Sequence, residues 1–246
     1  MRANNGQSVS VPVLHMPKAT AQPITDLDSA ASGINLTTSL RPVVSVIIPI
    51  YGKCDYTLQC LASIAANPPS TPFEVIVVDD CSPDNSAEVL QRVDGIRLIS
   101  NPENQGFIRS CNIGAGAAQG EYLYFLNNDT EVTPHWADEL LRTFQEFPGT
   151  GLAGSKLIYP DGRLQEAGGI VWQDGSASNF GRFQDPLLPI YDYAREVDYC
   201  SGASIMVPKA LFEDLGGFDE HYLRAYCEDS DLTLKIRDRG LRARRG

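Results

Sequence analysis

No stretch of this sequence approaches the roughly 18 apolar residues needed to cross a bilayer, and its first residues carry no apolar segment of signal-peptide type. A transmembrane segment within the chain is excluded on that ground, and a cytoplasmic protein is expected. Histidine is scarce, and His15, His135 and His221 lie at no metal-ligand spacing. The cysteines (Cys54, Cys60, Cys81, Cys111, Cys200, Cys227) are equally scattered, without the close pairs of a zinc site or a redox motif, so reduced thiols are expected. Basic residues are outnumbered, 20 Lys and Arg against 31 Asp and Glu, for a net charge of -11. Nucleic acid is thereby excluded as a natural partner, because a phosphate backbone demands clustered Lys and Arg. The one basic cluster, Arg237 to Arg245, reads as a solvated helix end and tail.

What is present is a globular composition, 43% hydrophobic over 246 residues, ample for a core. Residues 1–41 are rich in Ser, Thr, Asn, Pro and Ala and read as a flexible leader or linker; residues 42–246 hold the folded domain. Val43 to Ile50 is an apolar, β-branched run suited to a strand buried on both faces. Asp55 to Ala66 then reads as a helix, with Asp55 as its N-cap. The alternation continues with strands at Phe73 to Val78, Ile96 to Ile99 and Tyr122 to Leu126, and with helices at Ser86 to Val93, Phe107 to Ala118 and Trp136 to Phe147. Such alternation predicts an α/β fold, a doubly wound and mostly parallel sheet flanked by helices. Beyond it, Tyr159 to Tyr199 reads as loops and short strands shaping a pocket, followed by a strand at Ser204 to Val207 and helices at Lys209 to Asp214 and Ser230 to Arg239.

Open α/β sheets bind ligands at the carboxyl ends of their strands. The polar residues there are Tyr51, Asp79, Asp80, Asn127, Asn128 and Asp129. An aromatic ring and a carboxylate at neighbouring strand ends can stack on a nucleobase and accept its ring N–H. A carboxylate flanked by amides, as in Asn127-Asn128-Asp129-Thr130, can share a hard cation with substrate phosphates, although a lone Asn-Asn-Asp is more often a turn. In Cys227-Glu228-Asp229-Ser230-Asp231, capping and the helix dipole account for acids at a helix start. They leave Glu228 and Asp229, read as preceding the helix, free to supply a general base.

Several segments in order carry a family resemblance: Val44 to Tyr51, Val77 to Ser82, Asn104-Gln105-Gly106-Phe107, Gly120-Glu121-Tyr122, Phe125 to Asp129, Ser201-Gly202-Ala203, Gly216 to Glu220 and Glu228-Asp229. From about Val43 to Gly240 the chain resembles the family 2 glycosyltransferases, inverting enzymes with a GT-A fold that use nucleotide-diphosphate sugars. The resemblance implies that Pro49, Tyr51, Asp80, Gly106, Asn127 and Asn128 hold the nucleotide sugar. It implies further that Asp129 binds Mg²⁺ or Mn²⁺ and that Asp229 is the catalytic base. Gly202, Glu228 and Trp172 fall on the acceptor or donor-sugar side. The Asn127-Asn128-Asp129-Thr130 form is similar to rhamnosyltransferase-like members, implying a dTDP- or UDP-linked donor and a surface polysaccharide as product. A glycan or lipid-linked acceptor would bring the protein to the inner face of the membrane.

Two departures stand out. Asn127 occupies a position where the family often has Asp, leaving Asp129 alone for the metal. Such domains also usually continue past the last helix into a strand and a diphosphate-side His, which Arg242 to Gly246 do not replace, so a truncated domain is expected. A dinucleotide-binding oxidoreductase is disfavoured, since Gly114, Gly116 and Gly120 lie within and after a helix instead of between a strand and a helix. A non-catalytic carbohydrate-binding module is the rival from another class.

Overall fold

The run at residues 44–50 does form a strand, β1 (Val44–Ile50), and all 7 of its residues are buried, as helices on both faces require. The computed structural model describes residues 24–223 and 226–246. A short helix, α1 (Leu27–Ser32), precedes β1; α2 (Cys54–Ala66), β2 (Phe73–Asp79), α3 (Ser86–Leu90), β3 (Ile96–Ser100), α4 (Phe107–Ala117), β4 (Tyr122–Leu126) and α5 (Trp136–Glu146) continue the alternation. Then come β5 (Thr150–Gly154), β6 (Leu157–Ile158), β7 (Leu164–Glu166), β8 (Gly169–Val171), β9 (Ala177–Asn179) and β10 (Arg195–Val197). The last elements are β11 (Ser204–Pro208), α6 (Lys209–Asp214), α7 (Glu228–Asp238) and β12 (Arg242–Arg245).

Eight strands form one sheet in the order β10-β12-β5-β11-β4-β1-β2-β3, while β6 with β7 and β8 with β9 make two small hairpin sheets. β3, β2, β1 and β4 are mutually parallel. β11 runs antiparallel between β4 and β5, with Ser204 opposite Leu126. That reversal decides where the site lies: β11 begins at the edge where β4 ends, so the residues just before Ser204 join those following β1, β2 and β4.

Alternate residues of β1 face the two cores. Val46, Ile48 and Ile50 pack with Leu58, Leu61 and Ile64 of α2. Ile47 packs on the other face with Ile108, Cys111 and Ala115 of α4. Gly114 lets α4 lie close to β1, since a Cβ there would meet Ile47 Cγ2 at 2.5 Å.

Four expectations change. The leader read to residue 41 is folded from Ile24 onward: α1 and the following segment bury Ala31, Ile34 and Leu36 against the α2 face of the core, and residues 1–23 lie outside the described ones. Asp55 is not the α2 cap; Lys53 holds that position with φ 55, next to Gly52 at φ 67, and the helix starts one residue earlier than expected. α7 begins at Glu228, so Glu228 and Asp229 form its first turn instead of preceding it. Arg242 to Arg245 are a strand inside the sheet and not a solvated tail, parallel to β5 and antiparallel to β10. Their neighbourhood explains it: Arg237 pairs with Asp198 at 2.8 Å, Arg242 with Glu196 at 3.0 Å, and buried Arg245 donates to the Tyr193 carbonyl at 2.6 Å.

Candidate active site

The loop after β1 is tied to the loop after β2, because Gly52 N–H donates to Ser82 Oγ at 2.7 Å while Ser82 N–H donates to Asp79 Oδ1 at 3.1 Å. Tyr51 stands 56% exposed beside this junction. Asp80 is buried and receives donors from Asn101 Nδ2, Gln105 N and Gly106 N, each at 2.8 Å. Its first duty is therefore to fold the turn into α4, where Gly106 takes φ 82. An ionised carboxylate has about four acceptor positions, which leaves room for one more donor.

On the other side, Asn128 Nδ2 donates to Thr57 Oγ1 of α2 at 3.0 Å, and Asn127 N–H donates to the Ala203 carbonyl at 3.0 Å. Asp129 between these anchors and Thr130 is exposed, and its carboxylate has no hydrogen-bond partner among the described residues. The 201–203 turn then reaches α7: Gly202 N–H donates to Asp229 Oδ2 at 2.9 Å, and Ser230 N–H donates to Asp229 Oδ1 at 2.6 Å. With Ser230 Oγ also at 3.2 Å, three donors fix the Asp229 carboxylate and about one acceptor position stays open. Thus the carboxyl edge of the sheet gathers Pro49 and Tyr51 from β1, Asp80 from β2, Asn127 to Asp129 from β4, and Gly202, Glu228 and Asp229 around the start of β11.

Trp172 is not part of this hydrogen-bonded frame. It lies 55% exposed on the β8–β9 hairpin, where its Nε1–H donates to Ser178 Oγ at 3.2 Å. Of the neighbouring tyrosines, Tyr191 and Tyr199 are buried and pack the interior, whereas Tyr193 is exposed.

Sequence reasoning missed Glu166. It is 1% exposed on β7, and its Oε1 accepts the Ser201 N–H at 2.8 Å. Burial, and secondarily the charge of Asp229, push its carboxyl up to about 7, the Ser201 bond acting the other way. Glu228 is likewise raised, first by burial and then by Asp229. Nothing in the pattern around Gln165-Glu166-Ala167 marked a buried acid, since the segment read as an irregular loop. The shift has a stability consequence. Well below pH 4.5, its ordinary pKa, Glu166 is protonated in both folded and unfolded chains. As pH climbs to about 7 the unfolded chain ionises first and the fold loses on the order of 3 kcal/mol. Glu166→Gln is expected to remove that loss, gaining on wild type between about pH 4.5 and 7.5 in urea unfolding. A constant difference between the two proteins would contradict it.

Residues 45–213 match the model of glycosyl transferase family 2. The chain belongs to that family. Among curated relatives, the O-antigen biosynthesis protein RfbC of Myxococcus xanthus is 35% identical over 213 residues, covering 82% of this chain and 16% of the relative. Glycosyltransferase AglE of Haloferax volcanii is 26% identical, over 82% of this chain and 64% of its own length. The chain thus spans under two thirds of these relatives. In the solved structure of GalNAc-T7 with UDP, GalNAc and Mn²⁺, the fold superposes with a TM-score of 0.64 at 16% identity, over 84% of this chain and 43% of the other. Mannosyltransferase PcManGT from Pyrobaculum calidifontis, with GDP-Man and Mn²⁺, gives 0.59 at 20% identity, over 88% and 59%. The expected GT-A architecture is therefore the one observed.

The Mn²⁺ present in these two neighbours can be set against the residues here. Among the described residues no group of three or more His, Cys, Asp or Glu side chains is placed to cage a metal. A single open carboxylate, Asp129, suits instead a hard cation that takes most of its oxygen ligands from phosphates and water. Among those residues, too, no helix is long and apolar enough to cross a membrane.

Proposed function

We propose that this chain is the catalytic domain of an inverting, metal-dependent glycosyltransferase. It moves a hexosyl or rhamnosyl group from a UDP- or dTDP-linked donor to a hydroxyl of a glycan or lipid-linked acceptor, in cell-surface polysaccharide synthesis at the cytoplasmic face of the membrane. The observation that carries this reading is the continuous tie from Asn127 through Ala203 and Gly202 to Asp229, which holds a base candidate beside the β4 end where Asp129 stands open. The relation to an O-antigen biosynthesis protein supports the surface polysaccharide, and the Asn127-Asn128-Asp129-Thr130 form supports the rhamnosyl option.

In this reading Tyr51 stacks on the base, and Asp80 accepts its ring N–H with its remaining lone pair. Pro49, Gly106, Asn127 and Asn128 shape the nucleotide cradle, with Asn128 at the ribose. Asp129 holds Mg²⁺ or Mn²⁺, whose charge, when bound, offsets that growing on the leaving diphosphate. Asp229 takes the proton of the acceptor hydroxyl through its open acceptor position. The acceptor oxygen bonds to the anomeric carbon from the face opposite the diphosphate, the carbon–oxygen bond to phosphate breaks, and its electron pair leaves with the nucleotide. Gly202 and Glu228 border the sugars, and Trp172 offers a ring for the acceptor.

The test is thermal unfolding with UDP, dTDP and GDP, each with and without Mn²⁺. A rise in Tm with a nucleoside diphosphate that requires the cation is expected. Stabilisation by free glycan alone, with no response to any nucleotide, would overturn the transferase reading in favour of a carbohydrate-binding module.

A further inference from the structure

We infer that Glu166 is a positioning residue for Asp229, acting through the Ser201-Gly202-Ala203 turn. This rests on Asp229 being the base. The turn is held from three sides: Glu166 Oε1 takes Ser201 N–H at 2.8 Å, Asp229 Oδ2 takes Gly202 N–H at 2.9 Å, and the Ala203 carbonyl takes Asn127 N–H at 3.0 Å. Two consecutive amides thus bridge two carboxylates; their peptide planes meet at the Ser201 Cα, so a displacement of one amide reaches the next across a single residue. Glu166 is anchored for the task on β7, opposite Leu157 of β6, and is buried. Its other oxygen, Oε2, is buried with no partner among the described residues, an arrangement that costs stability and costs more with the carboxyl charged than with it neutral. The titratable groups facing it are Asp229 on α7 and Tyr199 and Cys200 just before the turn. None of these is a cation able to neutralise it, in keeping with a carboxyl held up to about 7. Ionisation of Glu166 therefore strengthens the Ser201 bond and sets a second negative charge near the base.

The experiment follows the Ser201 and Gly202 amide resonances of the ¹⁵N-labelled chain from about pH 5 to 9, in wild type, Glu166→Gln and Glu166→Ala. It pairs them with nucleoside diphosphate release from UDP-glucose and dTDP-rhamnose. In wild type both amides are expected to shift with one midpoint near 7, and in Glu166→Gln that step vanishes from both while the chain stays folded by circular dichroism. In Glu166→Ala kcat is expected to fall on the order of 10²-fold with donor KM nearly unchanged, the signature of a misplaced base. Glu166→Gln, which can still accept from Ser201, recovers most of that loss. A Gly202 amide that titrates identically with and without Glu166, or an unchanged kcat in Glu166→Ala, overturns the inference. The resonances report without turnover, and turnover retained by Asp229→Asn would refute the base itself, so the two failures are distinguishable.

Discussion

Asp229→Asn is expected to lower sugar transfer by about 10²–10⁴-fold, the range spanned by general-base catalysis, while binding of the nucleoside diphosphate stays within about threefold. The separation follows from geometry. Asp229 is fixed by Gly202 and Ser230 and, among the described residues, has no hydrogen bond to the β1 and β2 loops proposed to take the base. An asparagine can keep its oxygen toward one of these amides, so the turn survives, but its amide cannot accept the hydroxyl proton. Steady-state kinetics beside nucleotide titration reads both quantities. A variant with wild-type kcat would show that the proton goes elsewhere.

Asp129→Ala is expected to abolish the cation-dependent part of nucleotide binding. Ligand at about 100 times its Kd stabilises a fold by roughly 2.7 kcal/mol, or about 5–10 °C for a chain of this size. The variant forfeits the share of that shift contributed by Mn²⁺. Asp129 is exposed and unpartnered, so its removal leaves no buried donor stranded and the unliganded Tm should stay within about 1 °C. Persistence of the Mn²⁺-dependent shift would place the cation on other residues.

The parallel half of the fold was legible because its signal is local. Each strand from β1 to β4 is a short run rich in apolar residues and followed by polar ones, and α2 and α4 each bury one apolar face. The distal half was harder. The boundary between β5 and β6 is hidden, because Ser155-Lys156 between them carries neither Gly nor Pro. β12 was hidden because Arg242-Ala243-Arg244-Arg245 looks like a polar tail, and only the acids and carbonyls that meet it, distant in sequence, make it a strand. Asp80, Asn127 to Asp129 and Asp229 were readable as acids and amides beside apolar runs. Glu166 was not, since its burial comes from packing between hairpin and turn that no local pattern encodes.

The place of β12 also dictates an order of assembly. Residues 44–126 complete a four-stranded unit before β5 is made, yet the flank of β5 that pairs with Arg242 to Arg245 must wait for them. At translation rates of about 5–20 residues per second that edge stays open for seconds. During this interval the nascent chain presents an unpaired strand edge, a template on which another chain could pair.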